Sequence, residues 1–300
     1  MPYYHLVFTL PHELNALAQG NPRALYAMLF AAASETLLEF GRNRRWLGGE
    51  TAATLVLHTW GQTLTQHLHV HALVAAGALS DEGEWIRARR GFLFPVKALS
   101  IVFRGKFLEA LGITLEREHL ALAGRTVGLR ELRAQRTLLA NLRKHHWVVY
   151  AKRPFAGPEQ VLQYLGRYTH RVAISNERLV ASDAQSVRFR YKDYAHGARP
   201  KTMALDAQEF LRRFCLHVLP RGFMRIRHFG IIANRNKRAL LERARAALDT
   251  PPPVQDTTPP ESVHAFWQRV ARIDIARCPQ CHCGVLRVIA MLAPHAARPP

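Results

Sequence analysis

The chain has 300 residues, of which 48% are hydrophobic, enough for one large domain or two smaller ones with a real core. No uninterrupted apolar run reaches the roughly 18 residues of a membrane span, and the opening "MPYYHLVFTLPHEL" lacks the basic-then-apolar order of a secretory leader. Lys and Arg total 42 against 22 acids, a net charge of +20, so a polyanion such as DNA or RNA is the expected partner rather than a neutral surface.

In chain order, "YYHLVFTLP" (3–11) reads as a strand, and the 3.6-residue period of "ALYAMLFAAASETLLEFGR" (24–42) reads as a helix. "AATLVLHTWG" (52–61) and "HLHVHALVAAGALS" (67–80) are two strands joined by a short turn, which predicts an antiparallel hairpin. Helices follow at 94–112 and 129–145, then the strand "HWVVYAKRP" (146–154) and the helix "GPEQVLQYLGRYTHR" (157–171), with Pro158 in its first turn. Strands are expected at "RVAIS" (171–175), "RLVAS" (178–182), "SVRFRYKD" (186–193), "PKTMAL" (200–205) and "GFMRIRHFGIIA" (222–233). Helices are expected at 206–219, capped by Asp206, and at 237–248. "LDTPPPVQDTTPPES" (248–262) is a linker by composition. The implied organisation is a main domain over 1–247, the linker over 248–262 and a C-terminal segment over 263–300. Antiparallel strands mixed with long helices predict an α+β fold with a central antiparallel sheet and flanking helices.

The strand at 67–80 begins with His67, His69 and His71 at alternate positions, and alternate strand residues share a face. Neighbours two apart lie about 7 Å apart, within reach of one ion bridging two imidazoles, whereas residues four apart lie about 13 Å apart. One ion can therefore take His67 with His69, or His69 with His71, and a further ligand must come from elsewhere. Gln62, His58 and Gln160 are the candidates.

Tyr164 and Tyr168 stand four apart on a predicted helix and so share a face. A phenol can attack a phosphodiester and hold the strand covalently. Its ordinary pKa of about 10 means that it needs help with the charge on phosphate, which a divalent cation supplies and to which Arg167 and Arg171 add.

His-Val-His on a strand, Tyr-x-x-x-Tyr on a later helix and a strongly basic chain together resemble the HUH endonuclease superfamily. "VFTLPHELN", "LHTWGQTLTQHLHVHALV", "FLFPVKALSIVFRGKFLEAL" and "QVLQYLGRYTHRVAISNERL" resemble, more narrowly, the two-tyrosine transposases of rolling-circle insertion sequences, over about residues 3–289. The resemblance implies that His69 and His71 hold Mg²⁺ or Mn²⁺ and that Tyr164 and Tyr168 are nucleophiles. It implies that single-stranded DNA, at element ends and target, is cut through a 5′-phosphotyrosine and rejoined without nucleotide hydrolysis. No G-x-x-x-x-G-K-[ST] occurs in the chain. Members of that family usually open with a Cys-rich zinc-binding segment, whereas this sequence starts in the catalytic core, so a truncated or mis-called start is expected. A DNA-binding remnant without catalysis, and a relaxase or replication initiator with the same chemistry, are the alternatives. A further departure is the absence of a proline after the first histidine of "QHLHVHA".

Of four cysteines, Cys278, Cys281 and Cys283 crowd the C-terminus. They suit a reducing cytoplasm better than a disulfide framework. Cys-x-x-Cys before a glycine is half of a zinc ribbon, so Zn²⁺ is a possible ligand there, although Cys281, His282 and Cys283 are too crowded for all three to hold one ion. "WIRARRG" (85–91), "RFRYKD" (188–193) and "RGFMRIRHFG" (221–230) interleave Arg with aromatics. That pattern lets bases stack while phosphate is neutralised, and it marks Arg188 and Arg190 as DNA-binding candidates.

Overall fold

A computed structural model describes residues 2–89, 91–155, 173–251, 261–287 and 289–290. The chain forms two compact units, Met1–Pro251 and Pro252–Pro300.

The first unit is built on a sheet in the order β5-β1-β3-β2-β9. Its strands are β1 (Tyr3–Thr9), β2 (Glu50–Trp60), β3 (Gln66–Leu79), β5 (Val149–Phe155) and β9 (Ile226–Gly230), with the short β4 (Trp85–Arg87) also paired to β3. All of these pairings are antiparallel. The expected hairpin is β2–β3.

The period of two gives the sheet two unlike faces. Leu6 and Phe8 of β1, Leu55 and Leu57 of β2, and Val70, Ala72 and Val74 of β3 are all buried in one core. Over them lie α2 (Pro22–Arg42) and α3 (Val96–Glu116), which add Leu29, Phe30, Leu37, Phe103 and Phe107. The short α1 (Asn15–Gly20) precedes α2, and α4 (Leu132–Lys144) packs on α3. The register pairs Val7 with His71, Thr9 with His69 and His58 with His69. The intervening residues of the same strands thus all point to the other face.

A second sheet, β6 (Leu179–Ser182), β7 (Ser186–Asp193) and β8 (Arg199–Asp206), runs in that order. With α5 (Ala207–Cys215) it encloses a small core of Leu64, Ala173 and Phe189, against which Trp60, Phe210 and Phe214 pack. Asp206 accepts from the amide of Gln208 at 2.8 Å, as a helix cap should. α6 (Lys237–Ala247) follows, and α7 (Val263–Ala271) belongs to the second unit. Among the described residues no helix is long and apolar enough to cross a membrane.

Three expectations are corrected. Residues 173–175 of "RVAIS" form no strand: Ala173 adopts a left-handed φ of 54°, which breaks the extended run and turns its methyl into the small core. The strand expected over 222–233 shortens to β9, because Gly222 (φ 73°) and Gly230 (φ 66°) bend the chain at either side of it. The helix expected over 206–219 stops at Cys215, because His217 is drawn into buried hydrogen bonds with Thr59 of β2 and Leu64 of the turn that follows it.

Candidate metal centre and nucleic-acid cleft

On the sheet face away from α2 and α3, His58 of β2 lies directly opposite His69 of β3, and His71 follows two residues along. One ligand nitrogen from each of the three lies within 4.8 Å of the other two, a spacing that one ion bridges with small side-chain rotations. Ring centroids are 5.3 Å apart for His58 and His69, 4.3 Å for His58 and His71, and 4.9 Å for His69 and His71.

Hydrogen bonds fix which nitrogen faces the cluster. His69 Nδ1 lies 2.8 Å from the carbonyl oxygen of His67; a carbonyl only accepts, so Nδ1 carries the proton and Nε2 keeps its lone pair for a ligand. His71 Nδ1 lies 2.8 Å from Nε2 of His5 on β1, the two rings being stacked with centroids 5.1 Å apart and planes 7° apart. If His71 is to ligate through Nε2, its Nδ1–H donates to His5, the outer-shell contact that orients metal-bound histidines.

Burial, reinforced by the charges His67 and His5 would carry, pushes the His69 imidazole down to about 3, although the His67 carbonyl opposes this. Neutral imidazole is the form that ligates. The sign for stability follows. Unfolded histidine binds a proton near 6.5, whereas folded His69 resists it until about 3, so the unfolded chain holds more protons in that window. The metal-free protein is expected to lose stability as pH falls from 6.5 toward 4, and less steeply in His69→Gln; urea midpoints across that range measure it.

Of the other ligand candidates, Gln62 lines the same cleft as His58. Its Oε1 accepts from the Lys192 amide at 3.2 Å, and its carbonyl accepts from Arg178. His67 is exposed, with its ring 4.9 Å from that of His69 but outside the group of three. The helix expected over 157–171, with Gln160, Tyr164, Arg167, Tyr168 and Arg171, lies outside the described residues.

A cleft of about 470 Å³ adjoins His58 and is lined by Trp60, Gln62, Arg178, Arg190, Tyr191, Lys192 and Tyr194 among others. On β7, Arg188, Arg190 and Lys192 alternate on the exposed side while Phe189 is buried behind them. The Arg178 guanidinium lies over Phe189 at 5.8 Å, and burial lowers its pKa. Trp60 stacks on His58, with centroids 4.6 Å apart and planes 15° apart, and takes Arg225 over its ring at 4.9 Å. His217 ties this end of the hairpin down. Its Nε2–H donates to the Leu64 carbonyl at 3.0 Å, which leaves Nδ1 to accept from the Thr59 hydroxyl at 3.2 Å. Nothing in the sequence singles out His5, Arg178 or Trp60 as parts of this site: strand register brings His5 to His71, the second sheet brings Arg178 to the cleft, and Trp60 follows His58 by two residues on β2.

The family model described as "Putative transposase" matches residues 52–239, from β2 into α6. The chain is 45% identical over 289 residues to "Putative transposase y4qJ" of Sinorhizobium fredii (strain NBRC 101917 / NGR234), covering 96% of this chain and 73% of that protein. It is 30% identical over 290 residues to the "Transposase for insertion sequence element IS801" of Pseudomonas savastanoi pv. phaseolicola, covering 93% of this chain and 66% of that one, just under two thirds. Among solved structures, a conjugative relaxase TrwC in complex with mutant OriT DNA aligns at 11% identity and a TM-score of 0.30, over 81% of this chain and 72% of that one.

Proposed function

Because the chain belongs to the Y2_Tnp transposase family, we propose that it cuts and rejoins single-stranded DNA through a covalent tyrosine intermediate at a divalent-metal site. The observation that carries this reading is the set of three imidazoles, His58, His69 and His71, gathered beside a cleft lined with Arg and aromatic side chains. A purely structural role needs no such pairing of a cation site with a surface for bases and phosphates.

His58, His69 and His71 are the residues that would hold the ion. An all-imidazole set suits first-row transition ions better than Mg²⁺, so of the two expected ions Mn²⁺ fits it better. When bound, the cation polarises the scissile phosphate. Tyr164 and Tyr168 are the proposed nucleophiles: a phenolic oxygen forms a bond to phosphorus, the bond from phosphorus to the 3′-oxygen breaks, and the phenolic proton passes, in net, to that oxygen. The 5′-phosphotyrosine retains the bond energy, so a 3′-hydroxyl can reverse the step on a new partner without nucleotide hydrolysis. The family's second tyrosine allows one strand to be held while another is attacked. Arg190 and Lys192 neutralise phosphate in the cleft, and Tyr191 and Tyr194 offer ring faces to unpaired bases.

Single-stranded oligonucleotides carrying the DNA that flanks the reading frame, incubated with Mn²⁺ and run under denaturing conditions, test this. The unaltered chain is expected to give a covalent adduct, Tyr164→Phe and Tyr168→Phe reduced or altered product patterns, and the double change none. An adduct that persists in the double variant moves the nucleophile elsewhere. Retardation on native gels without any adduct from the unaltered chain makes this a DNA-binding remnant. For binding itself, Tyr194→Ala is expected to weaken single-strand affinity by about 1–3 kcal/mol if a base stacks there. Arg190→Ala is expected to flatten the dependence of log K on log salt by about 0.7, as measured by fluorescence anisotropy at several salt concentrations.

A further inference from the structure

The stretch "RGFMRIRHFG" (221–230) interleaves Arg with aromatic residues, yet strand transfer in the cleft leaves it without a task. It forms β9 and the turn before it, at the end of the sheet order next to β2. A groove of about 880 Å³ runs along this edge. Its walls include Arg227 and His228 of β9, Arg23 at the start of α2, and Arg235 and Lys237 where α6 begins. No carboxylate lines it. Among the described residues none of Arg23, Arg227, Arg235 and Lys237 forms an ion pair, whereas neighbouring Arg238 lies 3.5 Å from Glu242.

The aromatic rings of this stretch are spent on the protein itself. Phe223 meets Tyr26 edge-on at 5.6 Å and carries the Arg227 guanidinium over its face at 4.9 Å. The same guanidinium lies 4.5 Å over Phe30, and Phe229 packs against the main core. The stretch therefore turns charge outward rather than ring faces. His228 Nδ1 lies 3.0 Å from Thr54 Oγ1. Burial and the charge of Lys237 lower its pKa below the ordinary value, so at neutral pH the positive field comes from the guanidinium and ammonium groups. Register fixes where the groove leads: His228 pairs with Thr54, and His58 stands four residues further along β2, about 13 Å away on the same face.

Unpaired bases need ring faces, which the cleft supplies with Tyr191 and Tyr194 and this groove does not. Duplex DNA needs none, because its bases stack on one another, and it presents one charge per about 1.7 Å of axis. We propose that the groove along β9 is a second DNA site, which grips the phosphate backbone of duplex DNA flanking the segment to be cut and touches no base. Contacts of that kind set position and carry no sequence information. The groove would thus hold the flank in place while the single strand enters the cleft. The inference rests on the strand-transfer reading in taking DNA as the polyanion.

Fluorescence anisotropy of the full chain without added metal tests this, using two short labelled duplexes of unrelated sequence and one labelled single strand at several salt concentrations. Arg235→Ala/Lys237→Ala removes two exposed cations that have no partner to leave stranded. It is expected to weaken duplex binding by at least about 10-fold at 0.1 M salt and to flatten the slope of log K against log salt by about 1.8. Single-strand affinity and the yield of covalent adduct on a short single strand should stay within about twofold of the unaltered chain. Tyr194→Ala should do the reverse, weakening the single strand and sparing the duplexes. Lys237→Glu should weaken duplex binding further than Lys237→Ala, as charge rather than shape requires. Unchanged duplex affinity and slope in the double variant overturn the proposal. So does an equal loss for the single strand, which would make the groove part of that strand's path, or a marked preference between the two duplexes, which would mean base contacts. Adduct formation is read separately: an unaltered chain that forms none sinks the strand-cleavage reading, and a double variant that binds duplex normally sinks only this one.

Discussion

His69→Ala is expected to weaken Mn²⁺ binding by at least about 100-fold and to bring covalent DNA adduct below detection, with the folded state retained. The magnitude follows from position. Removing even an outer-shell partner of a metal ligand typically costs about 10–100-fold, and His69 is central to the group, opposite His58 across the strand pair and two residues from His71. Its tautomer is also fixed by the contact of Nδ1 with the His67 carbonyl, which leaves Nε2 for the ion. His58→Ala should match it. His5→Ala, acting only through the 2.8 Å contact with His71, should cost about 10–100-fold and should be partly rescued by His5→Gln, which keeps an acceptor. Isothermal titration with Mn²⁺, with circular-dichroism melting as the control for folding, measures all of these. Undiminished Mn²⁺ affinity in His69→Ala would put the ion elsewhere.

Phe103→Ala is expected to destabilise the main unit by about 3–5 kcal/mol, a large share of the roughly 5–15 kcal/mol that holds a typical domain folded. The Phe103 ring is fully buried on α3 and meets Phe8 of β1 edge-on at 5.1 Å and Trp147, just before β5, at 5.5 Å. It therefore joins a helix to two neighbouring strands, and Ala leaves a void that Trp147 is poorly placed to fill, because its indole N–H is committed to the Leu142 carbonyl at 3.0 Å. Urea unfolding should show a lower midpoint at unchanged slope. A loss below about 1 kcal/mol would mean that this layer is not packed as described.

How far the sequence could be read depends on where each signal is stored. The β2–β3 hairpin was legible because its evidence is local: alternating apolar residues, a short polar turn and a second alternating run. His58 could be named only as one of three ligand candidates, because the choice turns on strand register, and no short window records that His58 pairs with His69. Gln62 looks equally suitable by distance along the chain, and only the second sheet shows that its Oε1 also accepts from the Lys192 amide. His5 was read simply as part of a strand; 66 positions separate it from the imidazole it touches. "RVAIS" misled for the opposite reason, since its β-branched residues favour a strand while packing of Ala173 into the small core imposes a turn.

The two unlike faces of β3 carry a consequence for engineering. Inserting a single residue between Leu68 and Val74 would invert the parity of everything beyond it, sending imidazole beneath the helices and valine into the open. Extra residues among 61–63, in the connection before Leu64 anchors itself, change no parity. Length is therefore negotiable at the bend and forbidden a few positions later, a contrast that a scan of one-residue insertions would display as a sharp boundary.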